Sequence, residues 1–365
     1  MTMRAGRIHG RGVALALTLA TATLGFAGSP ALAGPFVGFS VTIGQASFEG
    51  TANASTTFEV IVTGKDGAEK GRETVTADAD GDWSFPGGLD ANVEVGDVFR
   101  AKSGQSTIER FTVPVLSVAG DRVADRVSGR APAGSILSVG LVLCPVAGAS
   151  SDLCSATSPV EVTSNARGRW ALDLSGSAPD GGDGIRAVWV SGRDRVTIPA
   201  IFPSLVVTPG AARLEGIFRP EARTSATLER GGQVAARARI RGFGWYGVIY
   251  TLLRDAGGAP EKVRVGDRVS AGIAGDARLR VRAISATVTE SSAAATGTCL
   301  PNGAGVIQGR LTAIGSYFAV AFTADATGDW SATLPSPALA GASWSLLCAT
   351  PAGDVLRTTG EIPLP

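Results

Sequence analysis

The stretch Ala324-Asp325-Ala326-Thr327-Gly328-Asp329-Trp330-Ser331-Ala332-Thr333-Leu334 decides how the rest of the chain reads. An Asp/Asn-to-Gly segment makes a tight turn because glycine tolerates positive φ. The tryptophan that follows opens a strand, points inward and buries a large apolar area between two sheets. The phrase recurs at Ala77-Asp78-Ala79-Asp80-Gly81-Asp82-Trp83-Ser84 and at Ser164-Asn165-Ala166-Arg167-Gly168-Arg169-Trp170-Ala171-Leu172. A looser version, Arg241-Gly242-Phe243-Gly244-Trp245-Tyr246, carries a fourth tryptophan. Trp83, Trp170, Trp245 and Trp330 stand 87, 75 and 85 residues apart, and all four are read as structural core. A glycine opening a strand precedes each, at Gly50, Gly129, Gly216 and Gly297, and another follows, at Gly96, Gly184, Gly266 and Gly341. Self-similarity at a fixed period is the mark of a repeat architecture.

Between these landmarks the pattern is strand. Phe58-Glu59-Val60-Ile61-Val62 and Arg278-Leu279-Arg280-Val281-Arg282 alternate as half-buried strands do. Turn residues recur every 8–12 positions or so, the spacing of a sandwich or barrel, and no capped amphipathic helix of about twelve residues is visible. The expected fold is all-β: four tandem immunoglobulin-like β-sandwich units at 34–115, 116–203, 204–285 and 286–365, after a signal peptide at 1–33. Each unit is small for an independent core and gains from contact with its neighbour. Prolines at Pro114 and Pro203 stiffen two junctions, so close-set modules are expected.

Arg4, Arg7 and Arg11 precede the apolar run Val13–Ala27, and Ala31-Leu32-Ala33 supplies small residues for cleavage before Gly34. That is a secretory signal, shorter than the ~20 apolar residues of a membrane span. Cleavage would leave 332 residues with 30 basic and 32 acidic side chains, a net charge of −2. The only histidine, His9, leaves with the signal. Ser-His-Asp and Cys-His catalysis, histidine bases and most zinc sites leave with it. No later stretch reaches spanning length, and the chain as a whole is too little basic for a nucleic-acid binder.

The phrase Asp325-Ala326-Thr327-Gly328-Asp329-Trp330-Ser331-Ala332-Thr333-Leu334 with Gly341, and the opening strand Arg126-Val127-Ser128-Gly129-Arg130-Ala131-Pro132-Ala133-Gly134, resemble the bacterial immunoglobulin-like repeats of secreted and surface proteins. The resemblance is good in units two and four, fair in unit one and poor in unit three. It implies a spacer, adhesive or binding role outside the cell, with a cell-envelope polymer or surface protein as partner. It carries no catalytic residue across.

Four cysteines in an exported chain make two disulfides, for which three connectivities exist. Pairing Cys144 with Cys154 and Cys299 with Cys348 keeps each bond inside one unit. A four-thiolate metal site would need two short cysteine pairs, which these spacings do not supply.

Asp78, Asp80 and Asp82 alternate as the first ligands of a calcium loop do. The rest of that motif is missing: Gly81 stands at the fourth position and Leu89 at the twelfth. A solvated turn is the plainer account, and no other cofactor is expected. Charge is uneven. Unit three holds fourteen basic and seven acidic residues, a net +7, against −6 in unit one. Arg237, Arg239 and Arg241 alternate, as do Arg278, Arg280 and Arg282, so each triplet lines one face of a strand. Guanidinium forks suit carboxylate, sulfate or phosphate. The ordinary account is a solvated face, or one paired with acidic unit one. Trp245, Tyr246 and Tyr250 add aromatic surface near the first triplet, with core filling as their ordinary role. The sequence therefore points to a non-enzymatic secreted structural, adhesive or spacer protein at a bacterial surface. The alternative is a carbohydrate- or polyanion-binding protein acting through unit three.

Overall fold

A computed structural model describes residues 36–362 except 178, 219–222, 243–247, 273–276, 289–292, 312–315 and 336–340. The expected signal segment, Trp245 and Tyr246 lie outside the described residues. Within them the regular structure is strand, apart from one 3-10 turn at Ser151–Leu153. The all-β expectation holds.

The repeated phrase forms the same local structure three times. Asp78, Asn165 and Asp325 each accept backbone N–H groups two and four residues on, through Oδ1. Gly81, Gly168 and Gly328 follow at φ of 90°, 68° and 98°. A Cβ there would meet the carbonyl oxygens of Ala52, Ala131 and Cys299 at 2.5, 2.4 and 2.8 Å. Those three residues donate their N–H groups back to the glycine carbonyls, at 2.7–2.9 Å. Trp83, Trp170 and Trp330 are then buried, each paired in register with Gly50, Gly129 or Gly297 on the adjacent strand. A side chain at Gly50 would place Cβ 2.5 Å from the Trp83 ring, so the indole lies flat against bare backbone.

Unit three keeps the register with a different residue. Gly216 pairs with Ile249, which is fully buried. The position opposite the glycine therefore belongs to isoleucine here. A second landmark also moves. Gly96, Gly182, Gly266 and Gly341 all have positive φ and donate N–H to the residue just past the last strand of their unit. In unit two this role falls to Gly182, two residues before the expected Gly184. In three units the next residue is a buried aspartate: Asp97, Asp183 and Asp267. Each accepts the backbone N–H three residues before it. In unit four the place is taken by Ala342.

The sheets knit the units in pairs. In the first half the strands run Ser155–Ala156, Ile136–Leu143, Gly184–Ser191, Asp194–Ile201, Val37–Thr42, Phe48–Ala52 and Asp82–Ser84 in one sheet. Val37–Thr42 from unit one pairs in parallel with Asp194–Ile201, the last strand of unit two. The second half repeats this. Ser204–Val207 from unit three pairs in parallel with Val355–Glu361, the last described strand of unit four. Smaller sheets of four and three strands cover the two ends of each large sheet. One core runs from Val37 to Phe202 and another from Leu205 to Ile362. In the first core Trp83 meets Phe39, Phe48 and Phe58 edge-on, at centroid distances of 5.4–5.9 Å, the geometry aromatic quadrupoles favour.

A third cluster joins the halves: Val146 and Ala147 of unit two pack with Val306, Leu347, Ala349 and Val355 of unit four. Beside it Arg122 grips Asp354 with both guanidinium nitrogens, each at 3.0 Å. The pair is almost fully buried, at 5% and 2% exposure. Arg122 also donates to the Ala352 carbonyl, and Leu205 N–H donates to Asp354. Gly181 and Gly353 touch there backbone to backbone. Gln308 completes the joint, donating to Gly148 O and accepting from Ser150 N. The residues from Pro35 on form one unit by their contacts.

Candidate functional site

The arginine triplets share one sheet. Gln233–Arg241 and Ala277–Arg280 are its two outer strands, with Arg223–Arg230 and Arg268–Ala271 between them. Alternation turns Ala236, Ala238 and Ile240 into the core and Arg237, Arg239 and Arg241 out to solvent. The register gives the outward rows. Arg237 stands beside Thr227, Ser270 and Arg278. Arg241 is directly opposite Arg223, and Arg268 directly opposite Arg280. Like charges placed so are destabilising. Among the described residues of these rows the carboxylate is Glu229, 4.0 Å from Arg268. Thr227 and Ser270 share a hydroxyl hydrogen bond of 2.6 Å between the arginines. Arg282 lies just past the outer strand and is exposed.

Not every cation of unit three faces outward. Arg230 binds Asp267 through two nitrogens at 2.9 and 2.8 Å and also pairs with Glu261. Burial opposes the Asp267 charge, but Arg230 and the Arg264 N–H outweigh it and hold the carboxyl below its usual range. Asp183 has the opposite balance. Burial raises its pKa, and the Cys144 and Asp180 N–H groups offset only part of that.

Where the basic sheet meets its neighbour, a groove of about 760 Å³ opens along the seam. Arg213, Arg237, Arg239, Arg254, Tyr250 and Asp255 line it. Tyr250 is 59% exposed, and the Arg213 guanidinium sits 5.5 Å from its ring centroid. The Asp255 carboxylate is occupied in its own turn by Ala259 N–H. Tyr250 was grouped with Trp245 and Tyr246 in sequence; the structure places it beside the arginines.

The other candidates divide as follows. Cys144 bonds to Cys154 and Cys299 to Cys348, so the four thiols are spent as disulfides. Asp78, Asp80 and Asp82 are exposed, and the Asp78 carboxylate caps its own turn. Among the described residues no group of three His, Cys, Asp or Glu is placed to hold a metal ion. No helix among them is long and apolar enough to cross a membrane. A second groove, about 700 Å³, lies between the Cys144–Cys154 loop and the sheet of unit four, with Tyr317, Arg310, Gln308 and Glu361 on its lining. An apolar cavity of about 300 Å³ sits among Ile43, Val95, Leu116, Ile198 and Phe218. Neither was legible in the sequence, because each is lined from two or more units.

No protein family matches the chain, and no curated protein matches it. Solved structures do resemble it in part. A tetra-tandem repeat from the extending region of a large adhesion protein is 15% identical over 90% of this chain and 99% of that one, with a TM-score of 0.17. An Escherichia coli alpha-2-macroglobulin is 11% identical over 90% of this chain and 43% of that one, at 0.18. The BSP domain of a biofilm associated protein is 7% identical over 91% and 96%, also at 0.18. At such scores these likenesses carry no argument about function.

Proposed function

We propose that this chain is a non-enzymatic structural or adhesive element exported to a bacterial surface, where its paired units act as a spacer. The observation that carries the reading is the parallel pairing of first and last strands, made once in each half. Tension applied to the ends of a half pulls these two strands in opposite directions along their common axis. Their hydrogen bonds are then sheared together instead of being unzipped singly. Two disulfides, two continuous cores and the buried Arg122–Asp354 pair add resistance of the same kind. The expected cleavage of the signal would remove the sole histidine, His9, which supports the non-enzymatic part.

Single-molecule pulling on the chain, together with fractionation of the producing cell, tests the proposal. Two dominant rupture events, one per half, and recovery outside the cytoplasm are the expected results. Four equal weak events would remove the mechanical basis. Turnover of an envelope polymer by the purified chain would overturn the non-enzymatic reading.

A further inference from the structure

We infer that the outward face of the sheet Arg223–Arg280, with the groove at its seam, binds an acidic polysaccharide chain. The inference names a partner class for the adhesive reading and rests on that reading for where the partner is met.

Three observations point the same way. The first is charge. The outward rows put Arg223, Arg237, Arg239, Arg268 and Arg280 on one face, with Glu229 as the acid among the described residues of those rows. The second is its cost. Arg268 and Arg280 are a like-charge pair at directly opposed positions, which weakens a sheet. A face that served only to solvate the fold would mix signs, as Arg72 does with Glu59 and Glu69 on the matching sheet of unit one. The third is the groove. It sets the exposed ring of Tyr250 among Arg213, Arg237, Arg239 and Arg254. An aromatic face stacks on a sugar ring, while guanidinium forks take carboxylate or sulfate in two-pronged hydrogen bonds. Neither inorganic phosphate nor a neutral glycan would use both.

The geometry suits an extended polymer. Outward residues on one strand repeat about every 6.8 Å, and neighbouring strands lie about 4.8 Å apart. Arg237 and Arg239 belong to both the face and the groove, so one chain can pass from the tyrosine onto the open sheet.

The test uses the whole chain and measures binding to polygalacturonate, heparin, neutral dextran, linear polyphosphate and duplex DNA at low and high salt. Expected are salt-sensitive binding of both acidic polysaccharides and none of dextran. The triple variant Arg237→Ala, Arg239→Ala, Arg280→Ala should lose affinity by about tenfold or more, as several charge-assisted contacts go. Tyr250→Ala should weaken polysaccharide binding several-fold and leave polyphosphate binding unchanged. Arg237→Lys with Arg239→Lys keeps the charge but loses the forks, and should fall between parent and triple variant. All these positions are exposed, so melting temperatures close to the parent's verify folding. Unchanged polysaccharide affinity in the triple variant overturns the inference. So does DNA or polyphosphate bound as tightly as polysaccharide with no effect of Tyr250→Ala. A chain that still attaches to cells after the triple replacement overturns it too, and leaves the structural reading standing.

Discussion

At the scale of single residues, stability turns on the glycines that face the indoles. Gly50→Ala would place a methyl group 2.5 Å from the Trp83 ring and 2.1 Å from the Gly38 carbonyl oxygen. Overpacking of this kind costs about 1–3 kcal/mol. Trp83→Ala should cost more, about 3–5 kcal/mol, since it empties the centre of the phenylalanine cluster. Urea unfolding of the two variants would measure both. The indole Nε1 atoms of Trp83, Trp170 and Trp330 are all buried without an acceptor, so the ring's apolar area is what fixes tryptophan there. Asp267 sets a pH dependence. Its carboxyl is held below the usual range, so the stability it supplies is in place above the ordinary aspartate pKa and is lost as pH falls through its lowered value. Arg230→Ala should therefore destabilise at neutral pH, and its deficit against the parent should narrow on acidification. Melting both proteins across the acid range checks the sign. Some of this was legible in sequence. The phrase around Trp330 gave the turn, the inward ring and the glycine beforehand. In unit three the residue opposite the glycine is Ile249, which nothing in the sequence sets apart from an ordinary strand residue. Asp183 was hidden behind Gly184 for a similar reason: only the positive φ of Gly182 reveals which glycine makes the turn.

At the scale of elements, the two disulfides close loops of unequal length. Cys299–Cys348 spans 49 residues and Cys144–Cys154 spans 10. Loop-closure entropy predicts about 4 kcal/mol for the first and about 3 for the second. Replacing each pair by serine and comparing denaturant midpoints should reproduce that order. The shorter bond has a second duty, since its loop presents Gly148 and Ser150 to Gln308 across the joint. Its loss should raise amide exchange at Ser150 as well as lower the midpoint. The arginine triplets were legible as strand faces from alternation alone. Their union in one sheet was not, because it depends on which strands lie between them.

At the scale of the whole molecule, the buried pair Arg122–Asp354 is the test of whether the halves act together. Arg122→Ala would leave the Asp354 charge buried without its partner, a loss of about 3–5 kcal/mol. Arg122→Met with Asp354→Leu should recover much of that, because an ion pair and a well-packed apolar pair are close in net worth. Calorimetry should show one transition in the parent and two in Arg122→Ala. A single unshifted transition in that variant would mean the joint contributes nothing. The tryptophan spacing did not reveal which strands close each half. Val37–Thr42 meets a strand more than 150 residues later, and nothing in either segment marks the other.

That long-range pairing also sets a schedule for synthesis. The earliest described strand has no neighbour on one side until Asp194–Ile201 has been made. A nascent chain stopped anywhere before that point carries an open edge of Val, Phe and Val, an invitation to aggregate. The second half has the same gap between Ser204–Val207 and Val355–Glu361. Late closure of this sort is slow. Shortened versions ending near residue 112 should be sticky and poorly recovered, whereas a version ending after Phe202 should behave as a finished body.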